Sequence, residues 1–555
     1  MNKHLTFLVI YFCVANLMAQ TSYYVSQNLG TDANGFGLSP TTPFQTINYA
    51  LDDLDAGDTL NVMAGVYYND TYGNGDIWKN EKTVSINNKH GNEHAYIVIR
   101  PYQDHAVKLK GDGLYILHIR NCSYIRITGF EIEGEVNSIP LDSALAYQFA
   151  YRELGSDVIL FRVTPGTPPE VVETLTFEPL TDIERPSYYD TKGLVGQLSH
   201  HIEVINNHIH HTPGTGLRFN SSGYIKVIGN EVHDCSRRSY SGTHALVFEA
   251  CDDMNTDTDT KIWILRNHIH HNYNEIYSWA PSKTIITPII DEGKGISMQR
   301  NDVERGWEYG RIRIENNLTH HNGFSGLHTN SGRAIDFINN TSYYDSYTGN
   351  GNNHGISMQA SEDITIINNI VVNDIAQGGF GIAASNSSSN YTIDNNLVHG
   401  TIDTRVDAVD NNTIFADPLF TNPESLDFTL RSISPAIGAA LPAFAPADDY
   451  RGLARDVNPD LGAFEYSPAT SISSNNADKQ IIHVYPNPFR EKVIIEMSNN
   501  PPITIALFDM VGRSLINDVK VSFNGYRLEI NTSNLENGIY FLNIEGTVHT
   551  LFKQH

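Results

Sequence analysis

Histidine is concentrated in one recurring phrase of this 555-residue chain. NNHIHHTPGTGLRF begins at Asn206, NHIHHN at Asn267, NLTHHNGFSGLHTN at Asn317 and NTSYYDSYTGNGNNHGISM at Asn340. Imidazoles at this density are candidate metal ligands, but metal sites usually add carboxylates in an irregular arrangement. His210, His233, His270, His320 and His399 each stand third after an Asn and keep step with apolar residues that alternate with period two. Stacked in register, they would form a row of rings on the outward side of neighbouring exposed strands, a scaffold feature, and that is the preferred reading.

A second group carries different chemistry. Lys294 lies in DEGKGI beside Asp291 and Glu292, His244 occupies the same place one repeat earlier, and His328 faces outward one repeat later. Each could act as a general base; the acidic neighbours of Lys294 favour its protonated form and work against that role. Glu249 could supply a carboxylate beside them. Arg218, Gln299 and Asn330 fall in outward columns of the same strands, and Arg300, Tyr273, Trp279 and Trp307 lie in nearby long loops. Cations, amides and aromatic faces of this kind suit sugar rings, which have apolar C–H faces and polar rims. EACDDMNTDTDTK offers Asp252 and Asp253 as oxygen ligands for calcium, without the ordered spacing of an EF-hand.

The elements that must position these residues are short strands. Asn recurs at 207, 230, 267, 317, 340, 369 and 396, with spacings of 23, 37, 50, 23, 29 and 27 residues. Once per interval an apolar residue, usually after Gly, marks a second column: Leu217, Leu246, Ile296, Leu327, Ile356 and Ile382. Between them HIEVIN, YIKVIG, KIWILR, RIRIEN and DITIIN alternate with period two. A unit of 23 residues made of short strands predicts a parallel β-helix, each coil covering the apolar face of the next. Asn at a buried turn can bond the backbone and its counterpart one coil away. Insertions interrupt this pattern around two coils: 21 residues separate Leu246 from Asn267 and Ile296 from Asn317, against 13 in plain coils, and 29 separate Asn267 from Ile296. Loops on a rigid frame are the usual home of function, so the groove is expected over the strands at Leu217, Leu246, Ile296 and Leu327.

Residues 22–466 resemble right-handed β-helix proteins of the pectate-lyase-like superfamily. The resemblance rests on an opening segment with Pro43, Phe44, Ile47, Gly57, Asp58, Gly65 and Tyr67, and on a closing segment with ADPLF, DFTL, SPAIGAA and PDLGAFEY. It implies polysaccharide chemistry, and some members pair a lysine base with calcium held by aspartates. The motif order of polygalacturonases, which share the fold, is not kept. VYPNPF at 484, LFDMVGR at 507 and LENGIYFLNIEG at 535 resemble the C-terminal sorting domain of the type IX secretion system of Bacteroidota, a small β-sandwich. The expected organisation is therefore all-β: signal peptide 1–20, parallel β-helix 21–466, linker 467–483 and sorting domain 484–555.

MNKHLTFLVIYFCVANLMAQ has the form of a secretory signal, and no later stretch is apolar enough to span a membrane. Cys122, Cys235 and Cys251 read as core thiols rather than a disulfide framework. A net charge of −26 argues against nucleic acid as a partner and requires a local cationic cluster for any polyanion. The expected protein is a secreted monomer that meets the type IX machinery and an acidic polysaccharide or oligosaccharide. Its expected chemistry is β-elimination, as a lyase or a terminal-uronate dehydratase, with calcium as the one candidate cofactor. Hydrolysis by paired carboxylates and a non-catalytic adhesin are the alternatives.

Overall fold

The computed structural model describes residues 20–553 apart from 104, 146–148, 155–156, 163–169, 177–185, 240, 277–289, 291, 347–353, 374–378, 386, 404–411, 468–481, 486–488, 498–504, 510–512, 514, 516–518, 525–526, 536–537 and 545–546. The chain divides into two compact units, Met1–Tyr466 and Ser467–His555. The signal-peptide residues before 20, Trp279 and Asp291 lie outside the described residues.

Three parallel sheets of eleven, ten and nine strands build the first unit, a parallel β-helix. One coil consists of Leu217–Asn220 in the nine-stranded sheet, Gly223–Ile228 in the eleven-stranded sheet and Glu231–His233 in the ten-stranded sheet. The next coil returns to the nine-stranded sheet at Leu246–Glu249. Leu217, Leu246, Ile296, Leu327, Ile356 and Ile382 are paired in unbroken register and wholly buried. The glycine before most of them has a steric cause. A Cβ on Gly355 would stand 2.3 Å from Val371 Cγ1, and one on Gly216 would stand 2.7 Å from Val232 Cγ1. The nine- and ten-stranded sheets approach too closely at this corner for a side chain.

The Asn column is a continuous hydrogen-bonded ladder. The backbone N–H and the Nδ2 of Asn207 both donate to Asn230 Oδ1, at 2.9 and 3.0 Å. The same pair of bonds runs from Asn230 to Asn267, to Asn317, to Asn340, to Asn369 and to Asn396. Each Nδ2 also donates to a backbone carbonyl, as Asn317 does to Ile264 at 2.8 Å. The preceding residue takes positive φ at every rung, from 51° at Asn339 to 65° at Gly229. Asn and Gly tolerate that conformation best, which accounts for the repeated Asn-Asn. A second ladder, Asn272 to Asn322 to Asp345, closes the far end of the ten-stranded sheet and was not evident from the sequence. Burial pushes the Asp345 carboxyl up to about 6.

Side-chain rings stack as the spacing predicts. His210 to His233, His233 to His270 and His270 to His320 have centroids 5.2, 4.8 and 4.8 Å apart and nearly parallel planes. Tyr343 and Val372 separate His320 from His399 in that column. The exposure of the row departs from expectation: His320 is buried, with the Phe428 ring 5.4 Å away. The segment 420–466 folds back over this end of the sheet, and Phe420, Phe428, Leu430, Leu461 and Phe464 form a second core with Leu318, Ile370 and Leu397.

The insertions flank the nine-stranded sheet. Loops 250–259 and 300–310 leave the C-terminal ends of Leu246–Glu249 and Ile296–Gln299, whereas 271–295 leads into the N-terminal end of Ile296–Gln299. A larger insertion, 134–191, precedes Lys192–Gln197 and contains a three-stranded antiparallel sheet. Ile139, Ala144, Tyr189 and Ile276 join it to the later insertion through a small separate core. Cys122, Cys235 and Cys251 are free, buried thiols.

The second unit contains a four-stranded and a three-stranded antiparallel sheet around Phe489, Val493, Ile495, Leu507, Ile530 and Leu542. Among the described residues no helix is long and apolar enough to cross a membrane.

Asn317→Ala removes the acceptor for both Asn267 donors and strands the carbonyls of Ile264 and Glu315. Denaturant unfolding is expected to show a loss of about 2–4 kcal/mol, the cost of leaving such buried groups unsatisfied.

Candidate functional site

The outward face of the nine-stranded sheet brings Lys294, His244 and His328 together. The register pairs Ser297 with His328 and His328 with Ser357, and it aligns Ser325 with His354 and His354 with Phe380. Backbone bonds from Ala245 to the Lys294 carbonyl and from Gly295 to the Ser325 carbonyl place His244 and Lys294 in that second column. A column two residues before the apolar landmark thus carries His244, Lys294, Ser325 and His354. The face is covered rather than solvated: Val247, Ser297, His328 and Ser357 are all buried.

Glu292 ties the cluster. Its Oε2 lies 2.7 Å from Lys294 Nζ and 3.4 Å from His244 Nε2. The Lys294 N–H is 3.4 Å from His244 Nδ1, an orientation that makes Nδ1 the acceptor and leaves the proton on Nε2, toward Glu292. The Phe324 ring lies 4.8 Å from Lys294 Nζ and meets His354 edge-on.

His328 has a defined tautomer. Ser325 Oγ donates to the Leu327 carbonyl at 3.0 Å, so it accepts from Ser357 Oγ at 3.1 Å; Ser357 Oγ in turn accepts from His328 Nδ1 at 2.7 Å. The lone pair is left on Nε2. Burial, and then the proximity of Lys294, His244 and His354, holds the imidazole well below its usual proton affinity and therefore neutral. Only 4% of His328 and 6% of Lys294 are exposed, so a ligand can reach no more than their tips.

A second cluster lies further along the same strands. Glu249 is bridged by the guanidinium groups of Arg218 and Arg300, and Arg218 Nε also donates to Asn220 Oδ1 at 2.9 Å. Two guanidinium cations against one carboxylate leave one positive charge, and Arg300 is half exposed. Gln299 Nε2 donates to Ser297 Oγ at 2.5 Å, and Asn330 accepts from Ser331 Oγ.

Several expected site residues serve the scaffold instead. Trp307 is entirely buried in the main core, so its indole cannot meet a sugar. The Tyr273 hydroxyl accepts from Arg237, whose guanidinium lies 4.5 Å from the Tyr273 ring centroid; this aromatic pins its own loop. Both oxygens of Asp253, the expected calcium ligand, are engaged by the chain itself. Its Oδ2 accepts the Glu308 and Tyr309 amides at 2.5 and 2.6 Å, and its Oδ1 accepts the Gly310 amide at 2.6 Å and pairs with buried Lys261 at 3.3 Å. Asp252 is exposed and caps the Met254 amide. Neither belongs to a group of converging metal-type side chains among the described residues.

Sequence reasoning missed Glu292 as the hub, because its contact with His244 spans two coils, and missed Ser325 and Ser357, whose spacing only register interprets. It also missed a cleft of about 250 Å³ lined by Tyr72, Asp76, Asp112, Glu135 and Tyr188, formed where the 134–191 insertion meets an earlier loop.

The described residues define a parallel β-helix that bears a buried cluster of lysine, histidine and glutamate and precedes an antiparallel C-terminal module. Residues 483–554 match the family model of the secretion system C-terminal sorting domain, so the chain carries a type IX sorting tail, which supports secretion and attachment at the cell surface. No curated protein matches the chain. Among solved structures it is similar to pectate lyase Pel9A, at 16% identity and a TM-score of 0.45, over 81% of this chain and 97% of that one. A rhamnogalacturonan lyase matches at 12% identity and a TM-score of 0.38, over 81% and 97%. A glycoside hydrolase matches at 10% identity and a TM-score of 0.43, over 71% and 96%.

Asp253→Ala leaves the Lys261 ammonium, which is 1% exposed, with two carbonyl acceptors but no counter-charge, and it strands three amides; unfolding is expected to show a loss of about 3–5 kcal/mol. Asp252→Ala is expected to stay within about 0.5 kcal/mol of the parent.

Proposed function

We propose that the protein is a secreted carbohydrate-active enzyme that cleaves a uronic-acid-containing polysaccharide or oligosaccharide by β-elimination on the outward face of the nine-stranded sheet. One observation carries this reading: a neutral imidazole, His328, lies beside the Lys294 ammonium and the imidazoles of His244 and His354 on the face that the insertions flank.

Elimination needs a base for the proton at C5 and positive charge for the carboxylate that delocalises the resulting carbanion. His328 Nε2 takes the C5 proton. Its electron pair forms the C4–C5 double bond, and the C4–oxygen bond breaks with the oxygen protonated by water. Lys294 supplies the positive charge, and Glu292 fixes its position and that of the neutral His244 ring. The substrate carboxylate compensates the Lys294 charge as it binds, which raises the basicity of His328 when it is needed. Lys294, the first candidate for the base, fits worse in that role, because its Nζ is engaged by Glu292 at 2.7 Å. The Arg218, Glu249 and Arg300 cluster, with its surplus positive charge, holds a neighbouring uronate. A terminal uronate in the same place would lose water in place of sugar.

Hydrolysis is the weaker reading on geometric grounds. It needs one carboxylic acid that arrives protonated. Glu249 is engaged by Arg218 and Arg300, and Glu292 by Lys294 and His244.

The deciding experiment offers the secreted chain a panel of uronate-containing and neutral polysaccharides while ultraviolet absorbance of the new double bond and reducing ends are followed. Both signals are expected on a uronate polymer. Reducing ends alone overturn elimination in favour of hydrolysis, and silence on every glycan favours adhesion. His328→Ala and Lys294→Met are each expected to lower kcat about 10²–10⁴-fold with the fold retained. Because His328 is held below the ordinary 6.5, it remains neutral as pH falls through that value. The acid limb of kcat/KM is therefore expected well below pH 6.5; a limb centred at 6.5 would exclude His328 as the base.

A further inference from the structure

The ten-stranded sheet carries a second cluster that the proposed reaction does not use. The register pairs Glu231 with His268 and His233 with His270, so Glu231, His268 and His270 leave the same outward face of adjacent coils. Glu231 Oε1 lies 3.2 Å from His270 Nε2 and 3.5 Å from His268 Nδ1, and the three candidate ligand atoms all fall within 4.8 Å of one another. Tetrahedral ligands bonded to a divalent ion at about 2.0–2.2 Å stand about 3.3–3.6 Å apart, close to the separations found.

The far side of each ring is also in place. His268 Nε2 faces His320 Nε2 at 2.8 Å, and His270 Nδ1 faces His271 Nδ1 at 2.9 Å. An imidazole that binds metal through one nitrogen donates its other N–H to an acceptor, which fixes tautomer and ring angle, and both rings have such a partner.

The arrangement occurs twice. Glu131 pairs with His208 and Glu133 with His210, and His210 Nε2 lies 3.1 Å from Glu131 Oε1 while its Nδ1 faces His211 Nδ1 at 2.7 Å. The copies differ in one charge. Lys108 Nζ stands 2.9 Å from Glu131 Oε1, whereas the ion-pair partners of Glu231 among the described residues are His208, His268 and His270. One coil further on, Leu318 takes the place of His268 and the pattern ends.

We propose that Glu231, His268 and His270 bind a divalent transition-metal ion of the zinc, nickel or copper type, with the fourth position open to water, and that Lys108 keeps the Glu131, His208 and His210 copy free of metal. Two imidazoles and one carboxylate suit these borderline ions, whereas calcium requires an all-oxygen shell. The Glu231 side chain, 44% exposed, leaves a path for the ion. Bound there, the ion clips two successive coils together across the 37-residue interval between Asn230 and Asn267.

The test uses the full-length chain without a histidine tag, titrated calorimetrically with zinc chloride and, in parallel, with cobalt(II) as a spectroscopic probe. One zinc per chain and a tetrahedral cobalt absorption band are expected, both lost in Glu231→Gln and in His270→Gln and both kept in Glu131→Gln. His268→Asn gives the same reading if either variant fails to fold, and far-ultraviolet circular dichroism checks each fold. A parent chain that binds no zinc, or binding unchanged in Glu231→Gln and His270→Gln, overturns the site. Lys108→Met is expected to take up a second ion; failure to do so overturns the part assigned to Lys108. No outcome depends on polysaccharide cleavage.

Discussion

The buried backbone at each corner of the coil is the constraint on which the remainder rests. A β-helix turns its chain three times per coil, and the peptide groups at the turn between the eleven- and ten-stranded sheets have no access to water. Unsatisfied, each would cost as much as a lost hydrogen bond and more. Seven asparagines meet the demand: six accept two bonds from the coil before, Asn207 accepts one from the Phe130 amide, and each donates to a main-chain carbonyl of the coil before. Because side-chain amide and backbone are both engaged, a coil cannot slip by a residue without breaking the ladder and turning its apolar residues outward. Intervals between rungs range from 23 to 50 residues, yet the ladder is unbroken. Length variation is therefore expelled to other corners.

That expulsion places the chemistry. The surplus residues emerge at both ends of the nine-stranded sheet, while the strands between stay in register, so side chains 50 residues apart in sequence, such as His244 and Lys294, sit side by side. Electrostatics follows from the same geometry. Side chains on adjacent strands are forced together, and each cluster shares one carboxylate: Glu292 between Lys294 and the His244 Nε2–H, Glu249 between Arg218 and Arg300. His328 has no such partner among the described residues and yields its proton instead. The histidine rows on the ten-stranded sheet obey the same rule. Burial and mutual repulsion push His210 and His270 down to about 4, which lets neutral rings stack face to face.

Much of this was legible beforehand, for identifiable reasons. The Asn column and the Gly-apolar column are periodic, and each has a single physical cause repeated in every coil: a hydrogen bond to the next rung and a close approach of two sheets. The histidine row was legible for the same reason, since register alone sets ring spacing. Less was legible where a residue's partner comes from a different coil by an irregular path. Trp307 and Tyr273 are aromatic residues in long loops, a pattern shared by substrate platforms and by loop anchors, and only burial separated the two. Asp253 looked like half of a calcium site because composition does not reveal that loop 300–310 turns three amides toward it. The covering of His320 by Phe428 joins segments more than 100 residues apart with no shared periodicity.

Local periodicity thus determined the class of fold, the register of its coils and the sheet on which insertions gather, because each of these follows from interactions between residues at one repeating interval. It could not determine which charges neutralise which. Those pairings depend on how non-repeating loops fold across the frame, and at contact distance the identity of the nearest counter-charge decides the hydrogen-bonding state and charge of each side chain. Glu292 beside Lys294, Lys108 beside Glu131 and Asp253 beneath three amides are decisions of that kind, taken in three dimensions by chain segments that carry no repeat.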